Sequence, residues 1–393
     1  MTNHQSKIEK LISKLCANGV EFKELQELID YEQPGKYIVK STEYDNKFVT
    51  PVLTAGQSFI LGYTKETDCL YKASKKEPVI IFDDFTTSFH WVDFDFKVKS
   101  SAMKILKPKK DIQISFRYVY YAMKCINYTT TDHARHWISK YSHFKVPTPP
   151  IAVQNELVSI LDRFTELEAE LEAELEARKK QYEFYREKLI SSSTKHVERL
   201  ENIAEIYLGL TYTPQYVDEG IKFISAQNTS SDFLNLSSVK YISEDEYQRS
   251  TSNAKPKRGD ILFTRVGSNL GHPVIVDTDE PLCIFVSLGY LRVNKEKVNN
   301  SYIKHWMNTN LFWEQIRKNV HGSAKVNLNT GWLKKFNVIL PSFEHQKKIA
   351  SVLDSFELLC NDIFIGLPAE LSARRLQYEY YREKLLIFKE NVK

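Results

Sequence analysis

The five cysteines of this 393-residue sequence, Cys16, Cys69, Cys125, Cys283 and Cys360, are scattered, with no C-x-x-C pair among them. That argues against a zinc ribbon or a disulfide framework and fits reduced thiols in a cytoplasm. No stretch approaches the roughly 18 apolar residues of a membrane span. The first fourteen residues are polar and helix-like rather than patterned as a signal peptide. Net charge is only +4, too small to argue from alone.

Catalytic signatures are missing as well. There is no G-x-x-x-x-G-K-[ST] phosphate loop, so ATP use within the chain is not expected. Thr148-Pro149-Pro150-Ile151 superficially resembles an Asn/Asp-Pro-Pro-aromatic element, but it lacks the polar residue and the aromatic. It reads as the lead-in to a helix. Asp83-Asp84 has no E-x-K partner and reads as a turn at a strand end rather than a magnesium site. His133, His136 and His143 lack zinc-ligand companions and are expected to face phosphates or solvent. No catalytic residue and no metal site are assigned.

What is present is uneven charge. From 97 to 145 there are 11 Lys/Arg against two acids, and from 292 to 335 there are 9 against two. Acidic residues concentrate in 166–176. Two basic segments suggest two polyanion-binding surfaces.

An internal repeat governs the organisation. Tyr182-Glu183-Phe184-Tyr185-Arg186-Glu187-Lys188-Leu189 recurs as Tyr378-Glu379-Tyr380-Tyr381-Arg382-Glu383-Lys384-Leu385, at an offset of 196. Upstream, Pro149, Gln154, Leu161, Asp162 and Phe164 recur as Pro341, Gln346, Leu353, Asp354 and Phe356, at an offset of 192. The second copy thus carries four extra residues. Apolar residues step by three and four through Leu157, Phe164, Leu171, Leu175, Tyr182 and Tyr185, and again through Ile349, Phe356, Ile363, Leu371, Tyr378 and Tyr381. These are the seam positions of two long coiled-coil helices, each ~55–60 Å long, with a local insertion of the stutter type. In the first copy the tetrapeptides Leu167-Glu168-Ala169-Glu170 and Leu171-Glu172-Ala173-Glu174 mark the insertion; one such unit adds ~6 Å. Gly366-Leu367-Pro368 should kink or break the second helix.

The pattern closes on itself at the N-terminus, where Glu9-Lys10-Leu11-Ile12-Ser13 matches Glu187-Lys188-Leu189-Ile190-Ser191, and Phe22, Leu25 and Leu28 match Val197, Leu200 and Ile203. The expected organisation is an N-terminal helix (1–18), a globule (19–150), a central helix (151–192), a second globule (193–342) and a C-terminal helix (343–393). The fold class is α+β: two pseudo-twofold-related mixed α/β domains separated by two long antiparallel coiled-coil helices. Val79-Ile80-Ile81-Phe82 and Ile261-Leu262-Phe263-Thr264 read as buried strands, and the alternating 92–98 as a half-exposed one. Helices are expected near 116–126 and 302–318. Tyr63, Tyr118, Tyr120 and Tyr121 read as core.

The repeated helix motif, together with Ile60-Leu61-Gly62-Tyr63-Thr64, Ile81-Phe82-Asp83-Asp84-Phe85, Gly259-Asp260-Ile261-Leu262-Phe263-Thr264-Arg265 and Asn327-Leu328-Asn329, resembles the specificity subunits of type I restriction-modification systems over essentially the whole length. The resemblance implies two target-recognition domains, each reading one half of a bipartite, asymmetric double-stranded DNA target. It also implies spacer helices that set the gap and dock methyltransferase subunits, two of them, with restriction/translocase subunits completing the assembly. S-adenosylmethionine, ATP and Mg2+ would belong to those partners, and this chain would hold no cofactor.

Candidate DNA contacts are cationic and amide side chains in loops. In the first globule they are Lys75, Lys76, Lys107, Lys109, Lys110, Arg135 and His136; in the second, Lys255, Lys257, Arg258, Arg265, Lys325 and Asn327. Arg135 and Arg265 are the choices for base reading, because a bidentate guanidinium on guanine is the commonest specific contact. Glu168, Glu172 and Arg186 on the helices are partner contacts or solvated faces. A coiled-coil adaptor that binds proteins through its globules is the alternative; it leaves the twin basic segments unexplained.

Overall fold

A computed structural model describes residues 6–54, 59–130, 134–267, 269–319, 327–362 and 365–391. It divides into two units, one made of 1–168 with 374–393, the other of 169–373. Seam residue Ile363 and candidate contact Lys325 lie outside the described residues.

In the first unit the run Val79–Asp83 is buried on both faces, because its alternate side chains feed two different cores. Ile80 and Phe82 join the cluster packed against the helices, while Val79 and Ile81 join a second cluster with Leu53, Phe96 and Val98. This strand is the third in a four-stranded antiparallel sheet ordered Ile29–Glu32, Met103–Pro108, Val79–Asp83, Phe89–Val92. A smaller sheet orders Ile60–Thr64, Thr50–Leu53, Lys97–Val98, its last pair parallel. The strand expected through 92–98 stops at Val92. Pairing resumes only at Phe96, which bridges Tyr71, and at Lys97–Val98; in between, Phe94 packs on Phe59, and the Phe96 ring stacks on Tyr71.

The second unit repeats the plan. Ala204–Leu208, Leu288–Val293, Ile261–Thr264 and Pro273–Ile275 form an antiparallel sheet in the same topological order. Again the central strand serves two cores, Ile261 and Phe263 on one side and Leu262 on the other. The smaller sheet orders Tyr216–Val217, Lys240–Ile242, Ile221–Ile224, Leu282–Ile284, also ending in a parallel pair. The N-terminal match holds at the hydrogen-bond level: Leu25 N–H donates to the Phe144 carbonyl at 3.0 Å, and Leu200 N–H to the Phe336 carbonyl at 2.9 Å.

The central helix is continuous over Ile151–Ser191, 41 residues, or ~60 Å. The C-terminal one is broken as expected, into Phe343–Asn361 and Leu367–Leu386. Pro368 falls in the first turn of the later piece, where the missing N–H costs no helical bond. The helix expected over 302–318 is two, Asn300–Met307 and Asn310–Asn319; Thr309 between them accepts the Phe312 N–H on its hydroxyl.

Each unit pairs the first half of one repeat helix with the second half of the other, antiparallel. In the first, the Phe164 ring packs on Tyr378 and Tyr381 at 6.2 and 5.7 Å between centroids. In the second, Phe356 packs on Tyr182 and Tyr185 at 6.4 and 5.8 Å. At the chain start, the helix Lys7–Leu15, capped by Ser6, joins the first unit's core beside Leu385 and Leu386. Gly19 has φ +86°, and a Cβ there would stand 2.7 Å from the Lys389 carbonyl oxygen. Only glycine admits the bond from Val20 N–H to that carbonyl so closely.

The buried glutamine of the Pro-x-x-x-x-Gln entry explains the motif. Gln154 Oε1 accepts the Ser115 N–H at 2.8 Å while its Nε2 donates to the Pro149 carbonyl at 2.7 Å. Gln346 accepts the Asn299 N–H at 2.9 Å and donates to the Pro341 carbonyl at 2.9 Å. Each glutamine thus ties the N-cap residue of an anchor helix, Phe116–Met123 or Asn300–Met307, to the proline that leads into its own helix. Replacing Gln346 by Ala leaves both groups buried without partners and should cost about 1–3 kcal/mol, read as a lower urea midpoint. An unchanged midpoint would show that water replaces the amide freely.

Candidate nucleic-acid interface

The exposed turn carrying Lys75 and Lys76 precedes the central strand of the first globule. With Lys72, Lys107 and Arg117, Tyr71 and Trp91, it lines an open cleft of about 540 Å³. Three of these cations have carboxylate partners. Lys72 binds Asp95 at 2.6 Å, Lys107 binds Glu32 at 2.9 Å, and Arg117 binds Asp162 at 2.7 Å while stacking over Trp91. Lys75 and Lys76 are the exposed pair at the cleft's mouth. Lys109 and Lys110 follow the strand Met103–Pro108, the former half-buried and the latter exposed. Lys72 and Trp91 were not among the expected contacts; Trp91 stands between His90 and Val92, and nothing local marks it.

Arg135 is exposed just before the short helix His136–Ser139. His136 corrects the expectation. It is fully buried, with its Nδ1 3.0 Å from the Tyr128 hydroxyl and its N–H donating to the Asp84 carbonyl, so it faces neither phosphate nor solvent. The neighbouring Trp137, Phe82 and Tyr141 rings claim this segment for the core. His143 is half-exposed and sits 3.2 Å from Glu24; His133 lies outside the described residues. Asp83 and Asp84 are structural. Asp83 accepts two turn N–H groups, and the buried Asp84 accepts the Trp137 N–H and pairs with Lys104. Tyr118 and Tyr121 are buried and Tyr63 and Tyr120 half-buried.

In the second globule Lys257 and Arg258 are exposed on the turn before Ile261–Thr264, where Arg258 meets Asp279 at 2.8 Å. The Lys255 ammonium lies over the Tyr247 ring at 4.4 Å. Arg265 closes the strand. Half-buried, it donates from Nε to the Leu328 carbonyl and from Nη1 to the Val286 carbonyl, both at 3.4 Å. Burial holds its pKa below the usual guanidinium range. These bonds, with the bridge between Val266 and exposed Asn327, bring three loop segments together. Nearby in sequence, Gln227, Ser287, Lys240 and Tyr216 line a second cleft of about 360 Å³, with Lys240 over the Tyr216 ring at 4.2 Å. Scattered over seventy residues, these four left no pattern in the sequence.

His305, Asp354 and Glu357 bring one potential ligand atom each within 4.8 Å of one another. Protein groups already bond most of these atoms. Lys304 holds Glu357 at 2.6 Å, and the two ring nitrogens of His305 face Asp354 and the Tyr182 hydroxyl at 2.8 and 3.0 Å. The five cysteines are free. Among the described residues no helix is long and apolar enough to cross a membrane.

Comparison with known proteins turns this geometry into an identity. The family model for the type I restriction modification DNA specificity domain matches twice, over 17–177 and 193–373, one match per globule and following helix. The chain belongs to that family. It is 37% identical over 407 residues to a type I restriction enzyme specificity subunit of Escherichia coli, covering 98% of each chain. Among solved structures, the S subunit of a type I system from M. genitalium matches with a TM-score of 0.57 at 15% identity, over 94% of this chain and 96% of that one. A second, from work on assembly and conformational transition of the type I R-M system, gives 0.56 at 14% identity over the same 94% and 96%. The chain is a specificity subunit, and sequence-specific DNA recognition is its role. A protein-binding adaptor is not favoured.

Glu32, the partner of the cleft's Lys107, offers a titration. Partial burial opposes its charge, but hydrogen bonds from Lys107, Lys36 and Tyr37 outweigh that and hold its pKa at about 2. A carboxylate depressed below its unfolded value stabilises fully above about pH 4.5, and that contribution disappears as the pH falls towards 2. Glu32→Gln should therefore flatten the acid limb of stability against pH between 4.5 and 2. An acid limb identical to that of the parent would show that the bond network does not hold the carboxylate ionised.

Proposed function

We propose that each globule reads one half of a bipartite, asymmetric DNA target, and that the long helices set the gap between the halves and dock two methyltransferase subunits. The observation that carries this reading is duplication with divergence. The two globules share strand order down to the parallel pair, yet they offer different groups: exposed Lys75, Lys76, Lys110 and Arg135 with half-buried Lys109 in one; exposed Lys257, Arg258 and Asn327 with half-buried Arg265 in the other. A shared scaffold with unlike loops suits two readers of unlike sequences. Phosphate contacts from the lysines would fix register, and the arginines and the amide would read base edges.

The chain itself performs no chemistry in this reading. S-adenosylmethionine, ATP and Mg2+ belong to the methyltransferase and restriction/translocase subunits. On the helices, Glu168 is taken up by Arg375 at 2.6 Å and Arg186 lies over the Tyr182 ring at 5.0 Å, whereas Glu172 is exposed and stays a candidate for partner contact.

Salt titration of DNA binding by the chain with its methyltransferase partner tests the reading directly. Lys75→Glu with Lys76→Glu should weaken binding, lower the logarithmic salt slope by about 0.9 for each phosphate no longer neutralised, and leave the second half-site's sequence preference intact. Loss of discrimination at both half-sites would refute independent readers. Deleting residues 171–174 removes about 6 Å of helix, close to two base-pair rises. Binding should move to targets with a shorter gap and the same half-sites; an unchanged gap preference would remove the ruler role.

A further inference from the structure

The two units seat their globules on the long helices with different side chains. Asp162 and Asp354 hold the same place in the repeat, but their partners differ. Asp162 accepts from Arg117 and from the Tyr121 hydroxyl. At the matching positions of the other anchor helix stand Ser301 and His305, and both bond Asp354. One turn along the long helix, Thr165 in the first unit corresponds to Glu357 in the second. On the anchor helices, Tyr120 corresponds to Lys304.

Lys304 and Glu357 are both 4% exposed and are joined at 2.6 Å. Lys304 also donates to the Asp232 carbonyl at 3.1 Å. Glu357 Oε1 is buried with no hydrogen-bond partner among the described residues, so Lys304 supplies what compensates this charge. Thr165 needs no such partner, since its hydroxyl donates to the Asp162 carbonyl within its own helix. Seating the second globule on the first unit's helix would leave the Lys304 ammonium buried opposite a threonine. The reverse exchange would bury a carboxylate without a lysine. Isolated buried charges are far costlier than paired ones, so mispairing is penalised in both directions.

We propose that these positions form a matching code between globule and helix: 117, 120 and 121 with 162 and 165, and 301, 304 and 305 with 354 and 357. The exchangeable recognition module is then the globule together with its following helix through residue 165 or 357, not the globule ending at its last strand. This rests on the globules being separate readers, but the code can be tested without DNA.

The test compares Glu357→Thr, Lys304→Met and the double variant in the full-length chain, by hydrogen exchange of the anchor-helix peptides and by thermal melting. Each single variant should speed exchange in 300–307 at least tenfold and lower the second unit's melting by on the order of 10 °C, leaving 116–123 unchanged. The double variant, with neither charge, should recover most of that loss. Should Glu357→Thr fail to fold, Glu357→Gln removes the charge at nearly constant shape and is read the same way. Unchanged exchange in the single variants, or losses that simply add in the double, would overturn the code. Failure of the DNA reading shows separately, as absence of specific binding by the unmodified chain with its partner.

Discussion

Everything in each unit hangs on the joint where a globule's anchor helix meets the start of a long helix. A helix start leaves backbone donors that must find partners, and here two such starts lie together. One glutamine bridges them: its oxygen accepts the N–H of the anchor helix's cap residue, and its amide donates to the carbonyl of the proline just ahead of the long helix. The tyrosine three residues into the anchor helix then reaches back to the strand that leads into the long helix: Tyr118 bonds the Pro147 carbonyl at 3.0 Å, Tyr302 the Ile339 carbonyl at 2.7 Å. Helix, lead-in strand and globule are thereby fixed by a few short bonds in a buried place, where each is stronger than it would be in water. A recognition surface carried on that globule inherits its orientation from the joint.

The joint was legible in the sequence as a motif, though not as a mechanism. Repeated residues stood out because both copies obey the same geometry: Pro149 and Pro341, Gln154 and Gln346, Asp162 and Asp354, Phe164 and Phe356. The aromatic exchange between helices could also be anticipated from seam spacing, since a three-four step fixes one face of a helix. Harder to see were the partners of Asp162 and Asp354. They lie about 45 and 50 residues away on the anchor helices and differ between the units, so self-comparison of the sequence passes over them.

Charge misled where fold claimed it. His136 sits in a basic segment and looked like a phosphate contact, yet the aromatic cluster around Trp137 draws its short helix inward. Lys104 belongs to the same segment and is buried beneath Tyr31, paired with Asp84. Lys97 is buried on Glu66 at 2.8 Å. Net positive charge along a stretch of sequence therefore overstates what the surface offers. The alternation of strands sends part of it into the core, where it must be neutralised locally.

That subtraction sharpens the contrast between the globules. Once internally paired cations are set aside, the first globule presents Lys75, Lys76 and Lys110 with Arg135, whereas the second presents Lys257 with Arg265 and Asn327, the latter two beside a bridge that ties their loops together. Lysines on turns act as point charges with little directional demand; a guanidinium held by two carbonyls keeps its remaining donors in a fixed plane. The same scaffold thus presents its charge differently on its two copies, and the second carries a guanidinium whose plane is set by protein carbonyls. The scaffold permits this because its two cores lie on either side of the central sheet strand, leaving the loop ends free to vary without disturbing either core.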